Sequence, residues 1–85
     1  MRTISFHKEA FDEYNFWAKE NYRIFEKTTK IIIETARNPF EGIGKPEPLK
    51  NNLKGFWSRR ITDEHRLVYE VKAKEIIIIS CKYHY

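Results

Sequence analysis

Residues able to do acid–base chemistry stand at three separate places in this chain. A carboxylate, Glu47, lies between two prolines, and the chain ends on an imidazole and a phenol, His84 and Tyr85. Between them, Arg66 follows a histidine in a basic segment. Cleavage of RNA by its own 2′-hydroxyl needs a general base, a general acid and fixed cations beside the phosphate. Together these residue types suggest a small ribonuclease.

Each of these residues also has a plainer interpretation, and the residues alone leave each pair open. Glu47 could accept the 2′-hydroxyl proton, but most single loop glutamates are simply solvated. His84 suits a general acid because imidazole changes protonation near neutral pH, yet terminal residues often fray. Arg66 could donate a two-pronged hydrogen bond to phosphate or pair with a nearby glutamate. Tyr85 could stack on a base or be an exposed terminal ring.

The charge of the chain agrees with an anionic partner. Lys and Arg number 16 against 12 Asp and Glu, which gives a formal net charge of +4. A basic excess favours polyanions such as RNA, although many ordinary domains are as basic. Three further cations are predicted to contact the RNA backbone and to make binding salt-sensitive, although each could be ordinary surface charge: Lys50, Arg60 and Lys82.

Length and composition bound the class of protein. With 85 residues, a single domain over residues 1–85 is expected. Cys81 is the one cysteine, which excludes a disulfide framework and fits a reducing cytoplasm best. The first six residues lack the apolar core of a signal peptide, and Ile76–Ile79 is far too short to cross a bilayer. We expect a soluble, cytoplasmic protein with no membrane partner.

The periodicity of the apolar residues predicts the elements that position these groups. Strands are expected at 2–6, 56–61, 65–71 and 75–81, and helices at 8–20 and 22–37. The intervening residues 39–54 contain every proline and are interpreted as a stiff functional loop. Short polar turns between the last strands predict an antiparallel meander. The fold class is therefore α+β, with two N-terminal helices packed on one face of a small, mainly antiparallel sheet in the order βααβββ.

Strand alternation predicts which side chains share a face. In the last strand it puts Ile77, Ile79 and Cys81 on the face that the helices cover, and Ile76 and Ile78 on the other. The loop that carries the glutamate is expected to overhang the uncovered face, unless a β-bulge changes the facing. Alternation also brings four cationic or titratable residues together on that face: Arg60, Arg66, Lys82 and His84.

The second half of the chain resembles the YoeB family of bacterial toxins, within the RelE-like superfamily of toxin–antitoxin ribonucleases. The similarity covers a little over half of the chain, and its several separate motifs in one order make it specific. None of the positions that carry chemistry departs from the family pattern. The matching segments are Pro39–Gly42, Gly44–Lys50, Gly55–Ile61, Glu64–Tyr69 and Cys81–Tyr85.

The resemblance implies a ribosome-associated mRNA endonuclease that inhibits translation, is neutralised by a cognate acidic antitoxin, and needs no metal or other cofactor. It implies that Glu47 is the general base and that Arg66 stabilises the phosphate. His84 and Tyr85 then supply the general acid and position the substrate. A homodimer is also favoured.

Other functions remain compatible with a small basic domain. A non-catalytic RNA or ribosome binder would inhibit growth even with Glu47 and His84 both replaced by alanine. A DNA-binding regulator is disfavoured because no predicted helix carries a basic recognition face. A zinc site of His65, Cys81 and His84 is disfavoured because the spacing matches no common ligand pattern.

Overall fold

The predicted helices and strands are present in the computed structural model, which describes residues 1–83. The fold class is α+β as predicted, and the predicted boundaries differ from those observed only at strand ends. Two short elements inside the loop were not predicted, a two-residue strand and a 3-10 turn. His84 and Tyr85 lie outside the described residues. In chain order the elements are β1 (Thr3–Phe6), α1 (Lys8–Glu20), α2 (Tyr22–Arg37), β2 (Glu47–Pro48), a 3-10 turn (Asn51–Leu53), β3 (Phe56–Arg60), β4 (Arg66–Val71) and β5 (Glu75–Ser80).

Asn21 separates the two helices and caps both of them. Its backbone N–H donates to the Trp17 carbonyl at 2.9 Å, which ends α1. Its side-chain oxygen accepts from the Ile24 N–H at 3.3 Å, which begins α2. The second helix ends at Asn38, because the residue before a proline avoids the helical conformation.

The buried stripe of α1 is narrow. Trp17 is buried and Tyr14 packs against the core, but Phe11 and Ala18 are exposed. The Phe11 ring meets Phe6 edge-to-face at 6.0 Å. Because β1 is an edge strand, no sheet element among residues 1–83 extends far enough to cover Phe11.

The strands form one sheet in the order β1-β5-β4-β3-β2. β1 runs parallel to β5, and all other neighbours are antiparallel. Both helices cover the same face, where apolar side chains from every layer enclose one core. Its buried members are Ala10, Trp17, Ile31, Ile32, Ala36, Ile61, Leu67, Tyr69, Ile76, Ile78 and Cys81.

A β-bulge interrupts the pairing of β4 with β5. Val68 pairs with Ser80, whereas the next residue, Tyr69, pairs with Ile78. Ile79 is therefore the extra residue on β5, and it shifts the alternation of that strand by one position.

The bulge explains why the predicted facing of β5 is wrong for the isoleucines before it and correct for Cys81 after it. Ile76 and Ile78 are in the core, each 0% exposed, where Ile77 and Ile79 were expected. Beyond the bulge, Cys81 is also 0% exposed, as predicted. Alternation alone could not locate the extra residue, because four consecutive isoleucines give no contrast between the two faces.

Candidate active site on the open face of the sheet

The sheet face that the helices leave free has a row of paired residues running across four strands. Glu47 pairs with Ser58, Ser58 with Val68, and Val68 with Ser80. Paired residues in an antiparallel sheet point to the same side, so the exposed Glu47 carboxylate belongs to this face. We call it the open face. The short strand β2, which sequence analysis did not predict, is what fixes Glu47 there.

Arg60 and Arg66 form the next row of the open face. They pair directly across β3 and β4, which places their Cβ atoms about 5 Å apart, with Glu47 diagonal to Arg60 at about 7–8 Å. Like charges directly opposite each other repel. An anion bound between the two guanidinium groups would offset that repulsion, so the row is suited to hold a phosphate.

The turn between β3 and β4 holds the Arg66 side chain. Its Nη1 donates to the carbonyl oxygens of Thr62, at 2.9 Å, and Asp63, at 3.3 Å. None of the ion pairs found within residues 1–83 involves Arg66. The two bonds to Nη1 orient the guanidinium plane, and a fixed plane is what two-pronged phosphate binding requires.

A buried arginine fixes the start of the loop that leads to β2. Arg59 is 0% exposed. Alternation along β3 puts it on the inner face, opposite to Ser58 and Arg60. Its guanidinium donates to three main-chain carbonyl oxygens, those of Asn38, Glu41 at 3.0 Å and Ile43 at 3.2 Å.

Tyr69 joins Arg59 to the same loop. Its hydroxyl accepts from the Arg59 Nε–H at 3.2 Å and donates to the Pro39 carbonyl at 2.7 Å. Burial raises the pKa of the Tyr69 phenol above its ordinary value, and the positive charge of Arg59 opposes part of that shift. The phenol therefore remains a donor. We call Arg59 and Tyr69 the loop anchor.

Gly44 brings the loop into contact with β3 three residues before Glu47. Its carbonyl accepts from the Arg60 N–H at 2.6 Å. Its φ is +81°, and a Cβ there would lie 2.8 Å from the Arg60 carbonyl oxygen. Only glycine fits this close approach, so the path of the chain into β2 depends on it.

The segment after β5 is fixed first at Cys81. Its carbonyl accepts from the Trp17 indole N–H at 2.9 Å, and its N–H donates to Glu13 Oε1 at 2.7 Å. The thiol donates into the core, to the Ala10 carbonyl at 3.7 Å. Burial, with a smaller effect of the Glu13 carboxylate, raises the pKa of Cys81 to about 12. The thiol thus faces the core, as strand alternation predicts.

Tyr83 is fixed next, against the start of β4. Its N–H donates to His65 Nδ1 at 2.7 Å, and its carbonyl accepts from the Arg66 N–H at 3.0 Å. A φ of +60° at Tyr83 ends the extended conformation of the strand. The chain thus reaches Arg66 one residue before His84. We call Glu13, Trp17 and His65 the tail anchor, a role that sequence analysis did not assign to any of them.

The two predicted cations of the loop and the tail do not join the arginine row. Lys50 is exposed, immediately before the 3-10 turn. The Lys82 ammonium lies over the ring of Phe16 in α1, 3.9 Å from its centroid, so the predicted grouping with Arg60 and Arg66 is not observed. The chain leaves the extended conformation after β5, and this bend redirects that side chain. Substrate binding by Lys50 and Lys82 stays a prediction.

Within residues 1–83, no three His, Cys, Asp or Glu side chains lie together in a way that could hold a metal ion. None of the helices described here combines the length and apolar character needed to cross a bilayer.

Fold and site together define a small α+β domain whose open face is suited to bind an anion beside a carboxylate. A family model, the YoeB-like toxin of bacterial type II toxin–antitoxin systems, matches residues 6–85. The chain is 56% identical over 78 residues to Toxin YoeB of Escherichia coli O6:H1, covering 92% of this chain and 93% of that protein.

Solved structures agree with the family model. The YoeB dimer from Staphylococcus aureus is similar with a TM-score of 0.91 and 46% identity, covering 99% of this chain and 98% of that one. The YoeB–YefM complex from the same organism gives a TM-score of 0.90 and 46% identity, covering 100% and 99%. The chain belongs to the YoeB-like family and is a toxin of a type II toxin–antitoxin system. The resemblance noted in the sequence is thereby confirmed.

Proposed function

We propose that this toxin is a ribosome-dependent endoribonuclease that cuts mRNA and so inhibits translation in the cytoplasm. In this proposal Glu47 takes the proton of a 2′-hydroxyl, whose oxygen attacks the adjacent phosphorus. The bond from phosphorus to the 5′-oxygen breaks, and His84 gives that oxygen its proton. The products are a 2′,3′-cyclic phosphate and a free 5′-hydroxyl, and the chemistry uses no metal.

Charge stabilisation is assigned to the arginine row. The phosphorane formed by the attack carries two negative charges, and Arg66 donates to its oxygens from a guanidinium whose plane is fixed. Arg60, directly opposite, adds a second positive charge. Tyr85 positions the substrate, while Lys50 and Lys82 contact the RNA backbone and make binding sensitive to salt.

One observation carries the proposal. The pairing of β2 with β3 puts the Glu47 carboxylate on the same face as the opposed arginines, and the bond from Arg66 to Tyr83 ends the described tail beside the same row. Three parts of the chain that are distant in sequence therefore approach the same row of the open face, which supports binding of one phosphate there.

The partners follow from the family and from the small size of the site. A domain of 85 residues offers few groups that could read bases, so the ribosome is proposed to position the mRNA. An acidic antitoxin is proposed to neutralise the toxin, supported by the YoeB–YefM complex from Staphylococcus aureus. A homodimer is proposed from the YoeB dimer of that organism.

The test is tightly controlled expression in bacteria, followed by mapping of mRNA 5′ ends. Wild-type protein is expected to produce cuts clustered at translated codons, and His84→Ala is expected to produce none. His7→Ala, at an exposed histidine before α1, is the matched control. If growth inhibition persists with Glu47 and His84 both changed to alanine, the toxin blocks translation without cutting.

The arginine assignment has its own test. Arg66→Lys keeps the charge and loses the planar fork, so single-turnover cleavage is expected to fall about 10²-fold or more with an unchanged fold. Arg23→Lys, at an exposed position of α2, is the control. Near-normal cleavage by Arg66→Lys contradicts two-pronged phosphate binding.

A further inference from the structure

The histidine next to Arg66 is buried, and the proposed chemistry does not use it. His65 is 7% exposed and lies between two aromatic side chains. Its ring centroid is 4.6 Å from that of Trp17, edge-on, and 5.2 Å from that of Tyr83. A polar ring enclosed in this way needs partners for its nitrogens, and those partners indicate its role.

The contacts of His65 require one tautomer. Nδ1 accepts from the Tyr83 N–H, and an acceptor nitrogen carries no proton. The ring proton therefore sits on Nε2, which is 3.7 Å from Glu64 Oε1. The main chain of His65 is fixed as well, since its N–H donates to Thr62 Oγ1 at 3.0 Å and its carbonyl accepts from the Ile61 N–H at 2.9 Å. The β3–β4 turn thus presents Nδ1 at a defined position.

We propose that His65 is a positioning residue that places the C-terminal general acid at the leaving oxygen. This rests on the proposed function, in which His84 is that acid. Tyr83 immediately precedes His84 and is held at both ends of its main chain, by His65 at its N–H and by Arg66 at its carbonyl. Without the Nδ1 acceptor, one bond remains and the segment can rotate about it.

The Trp17 indole gives the tail a second, independent attachment, at Cys81. Loss of the His65 contact should therefore displace the end of the chain without detaching the segment or unfolding the sheet. A displacement of about 1 Å at a reacting group is enough to cost about 10²-fold in rate. The expected defect is confined to the step that needs the acid.

The experiment measures single-turnover cleavage on programmed ribosomes with two mRNAs. One carries the ordinary phosphodiester at a mapped cut, and the other has sulfur in place of the bridging 5′-oxygen. A thiolate leaves without being protonated, so the sulfur substrate needs no general acid. His65→Phe keeps an aromatic ring without an acceptor, His65→Asn keeps a side-chain oxygen near the position of Nδ1, and His7→Asn is the exposed control.

His65→Phe is expected to slow the oxygen substrate about 10²-fold while cleaving the sulfur substrate at the wild-type rate. His65→Asn is expected to recover most of the oxygen rate. Equal slowing of both substrates by His65→Phe, or an Asn variant no better than the Phe variant, overturns the inference. If the Phe variant does not fold, His65→Leu, which also lacks an acceptor, replaces it in the same comparison with His65→Asn, and the same outcomes decide.

The same assay separates this inference from the proposed function. If His84→Ala cleaves the oxygen substrate as fast as wild type, His84 is not the acid and the proposed mechanism fails. If His84→Ala loses only the oxygen substrate while His65→Phe matches wild type on both, the mechanism stands and only the positioning role of His65 fails.

Discussion

The loop anchor and the tail anchor solve the same problem with different chemistry. Each fixes an irregular segment beside the open face, one leading to Glu47 and the other to His84. The loop anchor uses a fully buried cation, Arg59, whose donors converge on main-chain carbonyls. The tail anchor uses three single hydrogen bonds, in which Trp17 donates and Glu13 and His65 accept.

The difference indicates where stability and activity separate. Arg59 is fully buried and donates four hydrogen bonds, one of them to the Tyr69 hydroxyl, so the loop anchor is part of what keeps the domain folded. The tail anchor attaches a segment that lies after the last strand, and it can weaken while the sheet persists. Damage to the loop anchor should therefore lower stability and cleavage together, and damage to the tail anchor should lower cleavage more than stability.

The largest effect on stability is expected from Arg59→Met. It fills similar space but loses the charged donor of three main-chain carbonyls, each such bond contributing about 1.5–3 kcal/mol, out of a total of about 5–15 kcal/mol for a domain. Urea denaturation followed by circular dichroism should show a loss of at least 3 kcal/mol, roughly the sum for the carbonyls involved. Arg59→Lys, with fewer donors, should fall between. Wild-type stability in Arg59→Met would show that the loop anchor does not stabilise the domain.

The second-largest effect is expected from Gly44→Ala, with Gly55→Ala as its matched control. Both glycines have positive φ, +81° and +98°, so both substitutions strain the backbone, but only at Gly44 does a Cβ meet main-chain atoms. We expect Gly55→Ala to cost about 1–2 kcal/mol of stability and to cleave normally. Gly44→Ala should cost more and should also lose cleavage, because the path to Glu47 shifts. Equal behaviour of the two in paired urea and cleavage assays would contradict a loop held in register by Gly44.

The tail anchor is tested by Trp17→Phe. The change removes the indole N–H that holds the Cys81 carbonyl and keeps an aromatic ring beside His65. Single-turnover cleavage is expected to fall about 10²-fold while urea denaturation shows a loss of only about 1–3 kcal/mol. Glu13→Gln retains an acceptor for the Cys81 N–H and serves as the conservative control. If the loss in the free energy of unfolding exceeds the rise in the activation free energy of cleavage, the tail anchor has a structural role like that of the loop anchor.

The smallest effect concerns the Cys81 thiol. Its pKa is raised to about 12, so the folded protein keeps the proton that an unfolded chain releases near pH 8.5. The stability this contributes is fully present below about pH 8.5 and is lost as pH rises toward the folded pKa. At pH 8 the native thiol should resist alkylation, and it should react once urea unfolds the chain. Rapid reaction in the native state would show that the tail leaves Cys81 open.

The helices and the facing of β3 and β4 could be predicted because their signals are local. Asn21 and Asn38 mark helix ends by side-chain and proline chemistry, and alternation correctly placed Arg59 inward. The family was evident from ordered motifs in the second half of the chain. These features depend on residue type and spacing alone, so an isolated sequence carries them.

The remaining features depend on pairing between distant segments. β2 has two residues, one of them a proline, and is a strand only because β3 pairs with it. The bulge at Ile79 depends on the register between β4 and β5. The positioning role of His65 needs Tyr83 to return to β4. Local patterns carry no information on such register, which is why the predicted facing of Ile76 and Ile78 was wrong.

In the proposed mechanism, Glu47 and His84 act on one phosphodiester from two separately anchored segments of the chain. The most direct test is the pH dependence of single-turnover cleavage by wild type, Glu47→Gln and His84→Gln. A bell-shaped profile is expected for wild type, with the acidic limb missing from the residual activity of Glu47→Gln and the alkaline limb missing from that of His84→Gln. A flat wild-type profile between about pH 5 and 9, or both limbs surviving in either variant, contradicts the claim.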